Sequence, residues 1–227
     1  QPRVKTHIQH LDDLITKLEA HIRLQLAKGV DISNTAAIVE TVDKHQDTDL
    51  SLADLSARLD QDRKAEPVDS QWLRWVTQIL EQLKHLKWLY TEGQTNQGRT
   101  VMGMLNSTGC SSVWGSTFPY NPYPFPWSSH LFQDSTSVAL GIFEGHMVKM
   151  ATGFKAIRMA ELELAGKYNP SEHDNFFTYF TWRNFSNEEW LLCPPVVAMG
   201  GDGSMYDIGF QNLSRVLASG TPVKVMV

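Results

Sequence analysis

The stretch Val196-Val-Ala-Met-Gly-Gly-Asp-Gly-Ser-Met-Tyr-Asp-Ile-Gly209 runs an apolar segment straight into a glycine-rich turn and then into a helical pattern. Pro195 to Met199 reads as a buried strand, and Asp207 to Ala218 as a helix stopped at Gly220. Glycines at such a hand-over let the backbone turn sharply and approach a ligand closely. The helix start offers unpaired N–H groups and a partial positive charge, which favour an anion by up to about 2 kcal/mol in partly buried geometry. The carboxylate of Asp202 would by itself repel a phosphate. A divalent cation between the two removes the conflict, since Mg²⁺ typically takes one or two carboxylates plus phosphate oxygens. The residue types therefore suggest a Mg²⁺-bridged diphosphate at the carboxyl end of a parallel strand, where open α/β sheets bind ligands. The competing reading is plainer: Gly-Asp-Gly is a common turn, and Asp202 or Asp207 only caps the next helix.

Working outward, the run from Pro222 to Val227 predicts another strand. Upstream, Val101-Met-Gly-Met-Leu105 predicts a short strand ending in the small-residue turn Asn106-Ser-Thr-Gly-Cys-Ser-Ser112. Prolines at 119, 122, 124 and 126 forbid a regular helix or central strand in the aromatic loop Phe118 to Trp127. A long helix follows, capped by Asp134 or Ser135 and stopped by Gly166. Its predicted stripe is Val138, Ile142, Met147, Met150, Phe154 and Ile157. Ser186-Asn-Glu-Glu189 is a capping box for a short helix. Strands alternating with helices through short links imply right-handed crossovers and a parallel sheet.

The first hundred residues have a different composition. They hold 28 charged residues, 3 Gly, 2 Pro and 4 aromatics, against 17, 12, 8 and 19 in the remaining 127. The polar stretch Thr91 to Arg99 marks the boundary. Ile8, Leu11, Leu14, Ile15, Leu18 and Ile22 predict an amphipathic helix ending near Gly29. A second is expected from Ser51 with Leu52, Leu55 and Leu59, closed by Pro67. Asp69 or Ser70 caps a third, with Leu73, Val76, Leu80, Leu83 and Leu86 as its stripe. The expected fold class is thus α/β with a parallel sheet over 100–227, preceded by an all-helical hairpin or small bundle over 1–99. The histidines of that segment (His7, His10, His21, His45 and His85) lack a two-His pair with an acidic third and read as solvated helix residues.

At 227 residues the chain holds one ordinary core, or one core plus a smaller helical segment. A net charge of −5 argues against a general nucleic-acid or anionic-membrane binder. No apolar run approaches the roughly 18 residues of a membrane helix. Two cysteines, Cys110 and Cys193, exclude a disulfide framework. The start without methionine and the stop inside an apolar run are read as the ends of a fragment of a longer chain, truncated at its C-terminal end.

Three motifs in order carry a resemblance. Gly201-Asp202-Gly203, with Ser-Met-Tyr-Asp-Ile-Gly-Phe after it and Val216-Leu-Ala-Ser-Gly220 beyond, resembles the thiamine-diphosphate segment of pyruvate:ferredoxin (flavodoxin) oxidoreductases and related 2-oxoacid:acceptor oxidoreductases. Thr108-Gly-Cys-Ser-Ser112 with Trp114-Gly115 resembles the turn bearing one cysteine ligand of that family's proximal [4Fe-4S] cluster. Trp127-Ser-Ser-His-Leu-Phe-Gln-Asp134 resembles the loop covering the thiamine ring. The resemblance spans about residues 100–227, and residues 1–99 are expected to be a family-variable helical insertion.

The resemblance implies a partial thiamine-diphosphate-binding fold and a reaction class: oxidative decarboxylation of a pyruvate-like 2-oxoacid to acyl-coenzyme A, with electrons passing through iron–sulfur clusters to ferredoxin or flavodoxin. It implies Asp202 as a Mg²⁺ ligand, with Gly201, Gly203, Ser204 and Met205 lining the diphosphate. Leu131 and Phe132 would contact thiamine, and Cys110 would be a cluster thiolate. No catalytic residue is assigned to this chain. A homodimer in the cytoplasm, built with the rest of the parent chain and touching neither nucleic acid nor membrane, is expected. The family's second Mg²⁺-binding half would fall beyond Val227, its Cys-x-x-Cys pair is absent, and its thiamine-activating acid comes from another domain. The isolated chain is therefore expected to carry neither a complete cluster nor activity. Two alternatives stand beside this reading: a thiamine-dependent decarboxylase or transketolase-type domain without clusters, against which the Cys110 turn argues, and a non-catalytic helical docking or assembly module.

Overall fold

The computed structural model describes residues 2–28, 68–107, 109–116, 120–130 and 133–227. The helix expected from Ser51 to Pro67 and the stop at Gly29 lie outside the described residues, as does His45. Two compact units are present, one comprising residues 1–88 with 155–175 and the other residues 89–154 with 176–227.

In the first unit, helix α1 (Pro2–Lys28) and helix α2 (Ser70–Thr91) supply the apolar stripes. Leu11, Leu14, Leu18 and Ile22 of α1 are buried, as are Leu73, Val76, Leu80, Leu83 and Leu86 of α2, matching the three- and four-residue spacing that predicted them. Asp69 caps α2 by accepting from the Gln71 N–H at 2.8 Å. Lys84 reaches Glu19 and Lys87 reaches Asp12, a reversed order that sets the two helices antiparallel. Residues 155–175 add Glu163, whose Oε1 accepts from the Trp72 indole at 2.7 Å and lies 3.3 Å from His21 Nε2.

The second unit is built on four parallel strands: β1 (Gly103–Ser107), β2 (Trp127–His130), β3 (Val196–Met199) and β4 (Lys224–Met226), in the order β2-β1-β3-β4. Register aligns Asn106 with Met199 across β1 and β3, and Ser107 with His130 across β1 and β2. Strand β1 starts two residues later than the apolar run suggests, because Gly103 is the first residue to pair, its N–H donating to Pro195 O at 3.0 Å. Strand β2 falls in the stretch read as a loop. Ser-Ser-His has no apolar alternation, and its strand character comes from pairing along β1 at the sheet edge.

Between β1 and β2 lies the short helix α3 (Cys110–Trp114). Helix α4 (Ser135–Leu164) follows β2, and Gly166 in left-handed conformation (φ 63°) lies just beyond it, as expected. Within the sheet unit its buried face is Ala139, Phe143, Met147, Met150, Ala151 and Phe154, whereas Ile142 is 44% exposed. Counting back from Met147 in steps of four gives Phe143 and Ala139, so Ile142 falls off the stripe on which it was expected. Helix α5 (Pro170–Thr178), a 3₁₀ turn (Trp182–Asn184) and helix α6 (Asn187–Trp190) precede β3. The Ser186 hydroxyl accepts from the Glu189 N–H while Glu189 Oε2 accepts from the Ser186 N–H, the reciprocal box that the sequence announces. Edge-to-face rings pin this segment down: Phe154 on Phe185, Phe143 on Trp182 and Trp182 on Trp190, with centroids 4.9–5.8 Å apart.

His146 on α4 is half-buried, and its Nε2 has no hydrogen-bond partner among the described residues. Burial, then the charges of Arg99 and Lys149, push its pKa below the ordinary 6.5. The unfolded chain thus takes up a proton before the folded one does, so stability falls as pH drops through 6.5. In thermal melts in low-salt, phosphate-free buffer, His146→Gln is expected to flatten the loss of stability below pH 6.5 while leaving the curve above pH 7 unchanged.

Candidate functional site

The order β2-β1-β3-β4 contains a change of direction. The chain leaves β1 toward β2 on one side and leaves β3 toward β4 on the other, so the carboxyl ends of β1 and β3 part. Such a switch point opens a crevice at the strand ends, the usual ligand position in open α/β sheets. Two motifs read separately in the sequence now adjoin. The Cys110 turn leaves β1 and the Gly-Asp-Gly turn leaves β3, from strands paired at Asn106 and Met199.

Hydroxyls and glycines hold this mouth together. Ser107 Oγ lies 2.6 Å from Ser135 Oγ, and Ser135 Oγ lies 3.4 Å from Met199 O. Ser111 Oγ donates to Ser107 O at 3.1 Å. Ser107, Ser111 and Ser135 are buried, so the end of β1, the start of α4 and the end of β3 are tied by side chains small enough to fit between them. A Cβ on Gly200 would stand 2.6 Å from Ser204 Oγ and 3.1 Å from Ser107 Cβ. Sequence reasoning missed Ser107 and Ser111 as site-builders. The only signal was the run of small residues from Asn106 to Ser112.

After Gly201 the chain does not enter an ordinary helix. Gly203–Ile208 forms a π-helical turn, and helix α7 (Phe210–Ser219) follows, ending at Gly220 with φ 64°. Wide turns of this kind recur at functional sites. The π turn requires Gly209, where a Cβ would lie 2.0 Å from Ser204 O and 2.7 Å from Gln133 O. Gln133, itself at φ 52°, thereby brings the segment after β2 against the same turn. Leu131 and Phe132 lie outside the described residues, between His130, paired with Ser107, and Gln133. Thr108 is also outside them.

Asp202 is exposed, and its carboxylate makes no cap hydrogen bond to the turn that it opens. The plain-cap reading of Asp202 therefore loses its basis. Among the described residues a Cβ at Gly201 would meet nothing within 4 Å, while one at Gly203 would approach Asp207 Oδ2 at 3.9 Å. Ser204 is buried and donates to Gly201 O at 2.9 Å. Met205 is fully buried, and its N–H donates to Gly201 O at 3.0 Å, so its side chain serves the core. Cys110 is exposed. Cys193 is half-buried, its Sγ donating to Glu189 O at 3.5 Å, and burial pushes its thiol up to about 11. Among the described residues no group of three or more His, Cys, Asp or Glu is arranged to hold a metal ion, and no helix is long and apolar enough to cross a membrane.

No family model matches the chain. Curated relatives do. A pyruvate-flavodoxin oxidoreductase of Enterobacter agglomerans is 32% identical over 165 residues, covering 56% of this chain and 14% of its own length. The pyruvate:ferredoxin oxidoreductase of Moorella thermoacetica is 28% identical over 166 residues, with the same coverage. A putative pyruvate-flavodoxin oxidoreductase of Synechocystis is 28% identical over 158 residues, covering 56% of this chain and 13% of its own. The chain thus spans about one seventh of the length of these relatives. Over more than half of its residues this chain is similar in sequence to the pyruvate-flavodoxin and pyruvate:ferredoxin oxidoreductases, the family to which its Gly-Asp-Gly, Thr-Gly-Cys and Trp-Ser-Ser-His motifs point.

Proposed function

We propose that residues 100–227 hold the Mg²⁺-diphosphate end of thiamine diphosphate in a protein that oxidatively decarboxylates a pyruvate-like 2-oxoacid. The observation that carries this reading is an exposed, uncommitted Asp202 carboxylate at a switch-point mouth shared with the Cys110 turn. The residues fit the group. Open space beside Gly201 gives a diphosphate room to approach the backbone, and no side chain of the described residues competes for it. With no three-residue acidic cluster at hand, a cation at Asp202 would complete its shell from phosphate oxygens and from groups outside the described residues. When bound, thiamine diphosphate supplies carbanion stabilisation at the keto carbon.

This chain's own part is binding and orientation. Asp202 would neutralise the cation, and the Gly201 and Gly203 backbone would line the diphosphate. Ser204 and Met205 would line it as well, Ser204 holding the turn through Gly201 O and Met205 anchoring it from the core. Leu131 and Phe132 would meet the thiamine ring. Cys110, exposed on the neighbouring turn, would contribute one thiolate to a [4Fe-4S] cluster whose other ligands lie elsewhere in a longer protein. Coenzyme A and a ferredoxin or flavodoxin would be its partners, in a cytoplasmic homodimer. The boundary near residue 99 and the role of 1–99 as an inserted helical segment belong to the same proposal.

Magnesium-dependent titration with thiamine diphosphate, followed by calorimetry, tests the assignment. Asp202→Asn is expected to weaken Mg²⁺-dependent binding at least tenfold, and unchanged affinity would refute the Mg²⁺ role. Gly201→Ala and Gly209→Ala separate ligand room from fold. The first is expected to leave the melting temperature within about 2 °C and to weaken binding. The second is expected to destabilise the chain by about 3 kcal/mol, since backbone must move to admit its methyl. For the cluster, Cys110→Ala in the full-length protein is expected to lower acid-labile sulfide and iron by one cluster's share; equal contents in both proteins would remove Cys110 from the ligand set.

A further inference from the structure

We propose that Gln133 is a positioning residue: its backbone carbonyl braces the end of the π turn whose start carries Asp202. Gln133 stands between β2 and α4 at φ 52°, in the left-handed region. For a residue with a Cβ that conformation is strained, and it persists where the surroundings over-determine it. The first bond of α4 runs from Val138 N–H to Asp134 O at 3.0 Å, so the helix start does not itself ask for this φ. Its effect is felt at Gly209, 76 residues further on. A Cβ there would stand 2.7 Å from Gln133 O and 2.0 Å from Ser204 O. The Gln133 carbonyl thus occupies space that a side chain at 209 would take. Rotation about φ is one of the two soft dihedrals that aim that carbonyl relative to the chain before it.

The turn is held at both ends. At its start Met205 N–H and Ser204 Oγ both donate to Gly201 O, at 3.0 and 2.9 Å. At its end Gly209 O accepts from Leu213 N–H at 3.0 Å, the first bond of α7. Gly209 is therefore the joint between the π turn and α7, and Gln133 bears on that joint from a distant segment. The brace has a firm footing. Ser135, two residues beyond Gln133, lies 2.6 Å from Ser107 Oγ and 3.4 Å from Met199 O, at the ends of β1 and β3. Gln133 thus links the strand ends to the far end of the turn, while Gly200 and Gly201 link them to its start. Asp202, exposed and without a cap bond of its own, takes its position from the turn so held. The consequence for Mg²⁺ rests on the role of Asp202 proposed above; the brace itself does not.

The test is amide hydrogen exchange of the 227-residue chain, read at Leu213 relative to Met150 in the buried face of α4. Global destabilisation moves both amides together, whereas loss of the brace moves Leu213 alone. Gln133→Val places a β-branched side chain at positive φ, which such residues resist most, and is expected to speed exchange at Leu213 about tenfold relative to Met150. Gln133→Gly and Gln133→Asn, both of which tolerate this φ, are expected to keep the wild-type ratio. Calorimetric titration with thiamine diphosphate and Mg²⁺ follows. The valine variant is expected to bind about tenfold more weakly, and glycine to rescue it. Gln133→Thr serves if the valine variant does not fold. An unchanged ratio in the valine variant, or acceleration in the glycine and asparagine variants as well, overturns the brace. Faster exchange with unchanged affinity overturns the positioning role. The expected exchange pattern in a chain whose wild type shows no Mg²⁺-dependent binding supports the brace and refutes the Asp202 assignment instead.

Discussion

The sheet unit depends on how two parallel strands are held together where their connections part. Beyond Asn106 and Met199 the ladder ends, because one chain turns toward β2 and the other toward β4. Backbone pairing cannot close that gap. Buried serine hydroxyls do it instead, Ser135 at the start of α4 reaching both Ser107 and the Met199 carbonyl. A buried hydroxyl left without its partner costs about 1–3 kcal/mol, so the serines act as a set. Their small size matters as much as their hydrogen bonds. Gly200 and Gly209 pack against Ser204 at distances that no Cβ tolerates. Small side chains therefore let three segments converge at the carboxyl ends of β1 and β3.

Much of this was legible. The stripes of α1 and α2, the Asp69 cap, the Ser186 box and the strand from Val196 follow from spacing and end signals that act within a few residues. The parallel sheet followed from strand–helix alternation. What stayed hidden depends on distant partners. Trp127 to His130 becomes a strand only because β1 lies beside it, and no residue in Trp-Ser-Ser-His announces that. The turn from Gly203 to Ile208 was expected to pass directly into a helix, yet it opens into a π turn. Gln133 and Ser204, from segments 76 and five residues away, stand so close to Gly209 there that only a residue without a Cβ fits.

The candidate site divides the same way. Chemistry-bearing residues were visible by type: a carboxylate between glycines, and a thiol in a small-residue turn. Their adjacency was not, because it arises from strand order. Nor was the burial of Arg99 visible, since arginine in a polar linker reads as a solvated charge, whereas its guanidinium lies 5.3 Å from the centre of the Tyr90 ring.

The two cysteines show how burial decides chemistry that sequence leaves open. Cys193 stands next to Pro194, its thiol bonded to Glu189 O and pushed up to about 11 mainly by loss of solvent. A thiol so placed resists becoming the thiolate that metal binding and nucleophilic attack both require. Cys110 opens a helix of only five residues, after a Gly109 whose φ of 145° no L-residue readily adopts, and it faces solvent. Nothing among the described residues draws it inward. The turn presents an exposed thiol through a glycine-only conformation and is tied by Ser111 to β1, so Cys110 does not fill the core as a small buried side chain would.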